Sequence, residues 1–270
     1  MSPAAAIAAR AFVTSAVVAS AVVAPAFAAP AGRDARRSVP GDAPDLIRGR
    51  PGSSPGAAPA VRGPAAMPRP SADAVLAALD SALAQAAAEP DLEAALLPLT
   101  GLAHDLLGDP EAPARPGALK PGERDYRISG VFLVSPDRRY NMLVANRNFP
   151  PEQRRLAVPI EWNHPGEVVR TGLPILLKNT DEDARFRQFL KSSRMGSTIY
   201  APIFAGPDGA LIGQIVAAGQ ARHTYDEEDL ARLGLLARAA ALAWQAKDGA
   251  AWLAADYPAP DLWRADRNTV

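Results

Sequence analysis

Two pairs of apolar, β-branched runs, each pair divided by a short turn sequence, constrain this chain more than anything else in it. YRISGVFLV from Tyr126 and YNMLVANRN from Tyr140 flank SPDRR, while STIYAPIFA from Ser197 and ALIGQIVAA from Ala210 flank Gly206-Pro207-Asp208-Gly209. Runs rich in Val, Ile, Tyr and Phe that are interrupted by Pro, Asp and Gly pair as antiparallel hairpins. Between the hairpins, His164 to Thr171 reads as a helix closed by Gly172, whose missing β-carbon suits the left-handed C-terminal position. Pro174 to Lys178, PILLK, reads as a further strand. Five strands with helices inserted among them predict an α+β domain.

Helical spacing dominates on either side. Ser71 is the expected N-cap of a helix carrying Val75, Leu76, Leu79 and Leu83, which stops at Glu89-Pro90 because proline disfavours a helical residue before it. A second helix is expected after Asp91, with Leu92, Leu96, Leu99, Leu102, Leu106 and Leu107 on one side and Pro98 and Gly101 bending or loosening it. A Pro/Gly-rich loop from Gly108 to Gly122 follows. Thr224-Tyr225-Asp226-Glu227 reads as a capping box opening a last helix with the stripe Leu230, Leu233, Ala237, Ala240, Ala241 and Trp244. These leucine-rich faces need a partner surface. It is either the chain's own sheet or a second copy, a homodimer through helices 71–107 and 226–245.

Composition excludes several functions. Twenty-nine basic and 29 acidic residues balance, which argues against a nucleic-acid binder, since phosphate contacts call for an excess of Lys and Arg. The chain has no cysteine, so there is no disulfide framework, thiolate nucleophile or Cys-ligated metal. His104, His164 and His223 have no acid or second His beside them at metal spacing, and no cofactor or metal site is expected. No G-x-S-x-G elbow, P-loop or G-x-G-x-x-G is present, and Asp181, Glu182 and Asp183 are neighbours on a loop rather than a spaced acid/base pair, so no catalytic residue is expected.

The N-terminus has the layout of a signal peptide over residues 1–28: Arg10, the uncharged run from Ala11 to Ala24, and Ala26-Phe27-Ala28 as a cleavage site. As a stable membrane span it is too rich in Ala and Ser and is interrupted by Pro25. Residues 29–70 are Pro/Ala/Arg-rich with few aliphatics and no aromatic, the composition of a disordered linker. Export implies a periplasmic or secreted protein. A start at Met67 instead implies a cytoplasmic one.

The order and spacing of short motifs between Tyr126 and Trp244 resemble a GAF domain. The likeness rests on HPGEVVRTGLP from His164, on Asn179-Thr180-Asp181 and Ala184-Arg185-Phe186, and on Met195-Gly196-Ser197 leading into Tyr200-Ala201-Pro202-Ile203. Leu211-Ile212-Gly213-Gln214 and Tyr225-Asp226-Glu227-Glu228-Asp229-Leu230 complete it. The resemblance implies a central antiparallel sheet of five or six strands with helices on one face, preceded by helices and the disordered N-terminal segment. The implied division is N-terminal helices at 71–108, a GAF domain at 120–246 and a C-terminal tail at 247–270. It further implies a signal-transduction sensor whose small-molecule ligand lies between the sheet and a roofing loop from Asn179 to Arg194. The family's methionine sulfoxide reductase branch needs cysteines that this chain lacks. The candidate ligand-binding residues are Trp162, Asn179, Asp181, Arg185, Arg194, Ser197, Tyr200 and Gln214, the arginines as donors to a carboxylate or phosphate. A plainer role is also open, in which Arg185 pairs with Asp181 or Asp183 to brace the loop while Phe186 plugs the core. A ligand-free fold that serves as a dimerisation or protein-interaction module is the alternative function.

Overall fold

The computed structural model describes residues 69–267, apart from 192–193, 206–208 and 260. The signal-peptide expectation and the linker expectation up to residue 68 lie outside the described residues, whereas Arg69, at the end of the expected linker, is ordered and pairs with Asp226 at 2.7 Å. Seven strands form one sheet in the order β4-β5-β6-β1-β2-β3-β7. They are β1 (Arg127–Val134), β2 (Tyr140–Arg147), β3 (Leu156–Pro159), β4 (Ile175–Leu177), β5 (Ser197–Phe204), β6 (Leu211–Gly219) and β7 (Trp263–Arg264). Both expected hairpins are present, with Val134 opposite Asn141 and Phe204 opposite Leu211. The sheet is antiparallel except where β7 runs parallel to β3. Its seven strands exceed the five or six expected because Leu156–Pro159 is a four-residue strand ending in proline, too short for a periodic signal, and β7 comes from the supposed tail.

Alternation along the strands assigns two faces. Val131, Leu133, Met142, Ile199, Ala201, Ile203, Ile215 and Ala217 face the helices α1 (Ala72–Ala88), α2 (Leu92–Leu106) and α4 (Glu227–Ala246). Leu92, Leu96 and Leu99 on α2 are almost wholly buried there, and a leucine so buried contributes roughly 2 kcal/mol. Ser71 and Asp91 cap α1 and α2 by accepting from the amides of Ala74 (3.2 Å) and Ala94 (2.9 Å). α2 runs unbroken through Pro98. The capping box of α4 lies two residues later than the sequence suggests. Asp226 is the N-cap, accepting from the Glu228 and Asp229 amides at 3.0 Å, and Asp229 is its reciprocal partner; the Thr224 hydroxyl donates instead to the Ala221 carbonyl at 2.8 Å.

The chain after α4 is built into the fold. α5 (Gly249–Asp256) packs on α4, and β7 joins the sheet edge beside β3. Arg155, nine-tenths buried, ties these parts together: it pairs with Glu93 of α2 at 2.7 Å, with Asp256 of α5, and at 3.6 Å with Asp261. No helix among the described residues is long and apolar enough to cross a membrane.

Candidate functional site

The second face of the sheet carries the candidate site. Phe132, Thr198, Tyr200, Val216 and Ala218 form its floor, and α3 (Asn163–Thr171) packs against β3, β5 and β6 at one side. The segment between β4 and β5 folds over this floor as a lid, lowering Phe186, Phe189, Leu190 and Met195 onto it. The partly open chamber between lid and floor measures about 30 Å³, room for one water molecule, and its lining is largely apolar. Tyr200 shares a hydrogen bond with Thr198, and burial pushes its hydroxyl up to about 12.

Ion pairs hold the lid at two points. At the first, Asp181 lies 2.7 Å from Lys120, 2.9 Å from Arg194 and 2.8 Å from Arg222. The Arg222 side chain is 3% exposed and also pairs with Glu123, so the loop before β1, the lid and the end of β6 meet on one guanidinium. At the second, Asp183 accepts from the Arg185 amide (2.8 Å) and guanidinium (3.2 Å), and lies 2.9 Å from Nε2 of the buried His164 on α3. Arg185 reaches on to Glu167 of α3 at 3.1 Å. Burial by itself would raise the pKa of both aspartates. The hydrogen bonds and charge of Lys120 and Arg222 at Asp181, and of Arg185 and His164 at Asp183, outweigh it and hold each at about 2. Gln153, fully buried, adds a third tie by donating to the Phe189 carbonyl (2.7 Å) and accepting from the Lys191 amide (2.9 Å).

Of the eight candidate ligand-binding residues, Tyr200 is the one that lines the chamber, and Phe186 plugs it as the plainer reading had it. Trp162 sits at its rim, where the Arg187 guanidinium lies 3.6 Å from the ring centroid. Asn179 caps the short turn Thr180–Glu182, accepting from the Asp181 amide at 3.1 Å. Asp181, Arg185 and Arg194 belong to the latch, and Arg194 also covers the Phe186 ring at 5.1 Å. Ser197 shares strand parity with Ile199 and not with Tyr200, so it faces the helices; its hydroxyl is donated to Leu177 (3.1 Å) and accepts from the Tyr225 amide (3.4 Å). Gln214 lies on the lid face but is held under α3, donating with Asn141 to the Pro165 carbonyl at 2.9 and 3.1 Å.

Sequence reading missed Thr198, Phe189 and Leu190 in the chamber, and Lys120, Glu123 and Arg222 in the latch. A clue to the last was available, since an arginine after the apolar β6 run cannot be buried without acids. His104, His164 and His223 stand apart, and among the described residues no group of His and acids is arranged to hold a metal.

A second concavity, about 1110 Å³ and open, lies on the helix side between the start of α1, α4 and the end of β5. Leu76, Phe204 and Leu235 line it at 59%, 49% and 40% exposure, and Gly234 leaves a gap along α4.

Residues 124–245 match the family model described as GAF domain. Three solved structures share this architecture. The free methionine-R-sulfoxide reductase from Neisseria meningitidis, in complex with its substrate, is 20% identical with a TM-score of 0.51, over 66% of this chain and 92% of that one. The GAF domain of a phosphoenolpyruvate-protein phosphotransferase from Coxiella burnetii is 18% identical with a TM-score of 0.51, over 66% and 96%. A putative GAF sensor protein from Burkholderia vietnamiensis is 16% identical with a TM-score of 0.50, over 64% and 96%. At these identities the likeness is one of fold. No curated protein sequence matches the chain significantly.

Proposed function

Residues 124–245 form a GAF domain, and from that premise we propose that the protein is a non-enzymatic sensory module that admits a small, mainly apolar molecule beneath the lid. The observation that carries this reading is the contrast between the chamber and its closure. The chamber is lined by Phe132, Phe186, Phe189 and Met195, whereas the lid above it is fastened by charge pairs among Asp181, Asp183, Arg185, Arg194 and Arg222. An apolar guest displaces apolar side chains, and the polar latch determines how readily the lid lifts. The Tyr200 and Thr198 hydroxyls supply the polar contact that would orient such a guest. Two features support the absence of catalysis: the chain has no thiol, and the acids and bases of the lid are engaged with one another.

The test is a titration of the full chain with p-cresol, read on the methionine methyl NMR signals. The Met195 methyl is expected to shift saturably, and Phe186→Ala, which enlarges the chamber, should strengthen binding about tenfold. A Met195 signal that stays put in both proteins would overturn the proposal.

The open apolar concavity favours a second role alongside the first, that of a dimer platform. Exposed Leu76, Phe204 and Leu235 around Gly234 form a helix-side surface suited to a second copy. Native mass spectrometry should show a dimer that Leu235→Glu reduces to monomer with the fold retained; a wild-type chain that is monomeric throughout a concentration series would sink this role.

A further inference from the structure

We propose that a separate cavity at the β1–β2 turn binds the phosphate group of a small molecule. The cavity holds about 250 Å³ and lies where the turn meets the junction of β3 and α3, lined by Arg138, Arg139, Tyr140, Glu161, Arg170 and Asp266 among others. Two parts of the chain bring the arginines together. Arg138 and Arg139 come from the turn, and Arg170 comes from the last turn of α3. The junction is closed by two hydrogen bonds, from the Ile160 amide to the Arg139 carbonyl (3.0 Å) and from Arg170 to the Ile160 carbonyl (2.6 Å).

The cationic groups are only partly balanced, by Glu161 and Asp266 in the same lining and by Asp137, on which the Arg139 charge acts. Asp137, the acid nearest in sequence, is turned to other partners: it accepts from the Ser135 hydroxyl (2.6 Å), the Arg139 amide (3.1 Å) and the Tyr257 hydroxyl (3.3 Å). These bonds stiffen the turn, in which Arg138 takes a left-handed φ of 54° that a glycine or asparagine adopts more readily. None of Arg138, Arg139 and Arg170 forms a salt bridge among the described residues. Arg139 and Arg264 both lie over the Tyr140 ring, at 5.7 and 5.2 Å from its centroid, and the Tyr140 hydroxyl donates to Asp266 at 3.0 Å. Three guanidinium groups thus line the cavity beside the carboxylates of Glu161 and Asp266. Planar guanidinium forks match the peripheral oxygens of a phosphate, whose second negative charge favours it over a carboxylate where cations outnumber acids.

The test is a titration of the full chain with inorganic phosphate and with pyrophosphate at low ionic strength, followed by amide NMR. Saturable shifts at residues 137–140 are expected, with the Met195 methyl unmoved, which separates this site from the chamber. Arg138→Ala combined with Arg170→Ala should weaken binding at least about tenfold, and Arg138→Gln alone should weaken it less; both leave the buried core untouched. Chloride at matched ionic strength should not reproduce the shifts. Shifts that are absent, that chloride reproduces, or that survive the double substitution would overturn the proposal.

Discussion

Arg222→Met is expected to loosen the lid and to cost about 1–3 kcal/mol of stability, because it strips a buried guanidinium from two carboxylates and leaves Glu123 to the Lys120 amide and Asp181 to Lys120 and Arg194. Glu123 and Asp181 then lose the buried cation they share. The change should also reshape the acid limb of the stability curve. In the native protein Asp181 and Asp183 titrate at about 2, below the value of about 3.9 for an unfolded aspartate. A carboxylate depressed on folding contributes stability that is complete above its unfolded pKa and is lost as pH falls towards its folded one. The latch should therefore hold fully above about pH 5 and fail progressively between about pH 4 and pH 2. Without Arg222 the Asp181 pKa rises and its share of that acid-sensitive stability shrinks. Urea unfolding from pH 2 to 7 measures the stability, and hydrogen exchange at residues 183–191 measures lid opening. Unchanged exchange in the lid of the variant would show that the ion pairs do not hold it down.

Gly166→Ala should be more disruptive than its size suggests. Helix propensity by itself favours alanine by about 1 kcal/mol. The position forbids it, since an added β-carbon would lie 1.8 Å from the Ile160 carbonyl oxygen, and that oxygen is fixed backbone. α3 would have to lift from the sheet, taking His164 and Glu167 out of the latch and withdrawing the Pro165 carbonyl from Asn141 and Gln214. We expect a net loss of about 3 kcal/mol, as overpacking against backbone commonly produces. Gly101 and Gly234 provide the internal control. Both are helical with open space at the same position, and alanine at either should stabilise by about 0.5–1 kcal/mol. Equal effects at all three sites in a denaturant series would refute the steric argument.

Much of the fold was legible because its signals are local. The hairpins followed from runs of β-branched residues around Pro, Asp and Gly, and Gly172 does close α3 at a left-handed φ of 67°. The α4 capping box slipped by two residues because Thr224 and Asp226 are both competent caps, and the fold starts the helix at Glu227, where Asp226 accepts from the Glu228 and Asp229 amides. β3 and β7 were invisible as strands. Four residues and two residues carry no period, and β7 is held by long-range backbone bonds, from the Trp263 amide to the Arg155 carbonyl (3.1 Å) and from the Ala265 amide to the Ala157 carbonyl (2.9 Å).

The sequence by itself determined the α+β class, the order of the elements, the absence of thiol chemistry and the polar lid segment, since each depends on composition or on neighbours a few residues apart. Only the tertiary structure decided which side of the sheet Ser197 and Tyr200 face, which acids receive Arg185, Arg194 and Arg222, and how tightly the lid closes on the chamber. Those outcomes turn on strand parity and on charges brought together from positions as distant as Glu123, Asp181 and Arg222, and a buried charge takes whatever partner the fold sets beside it.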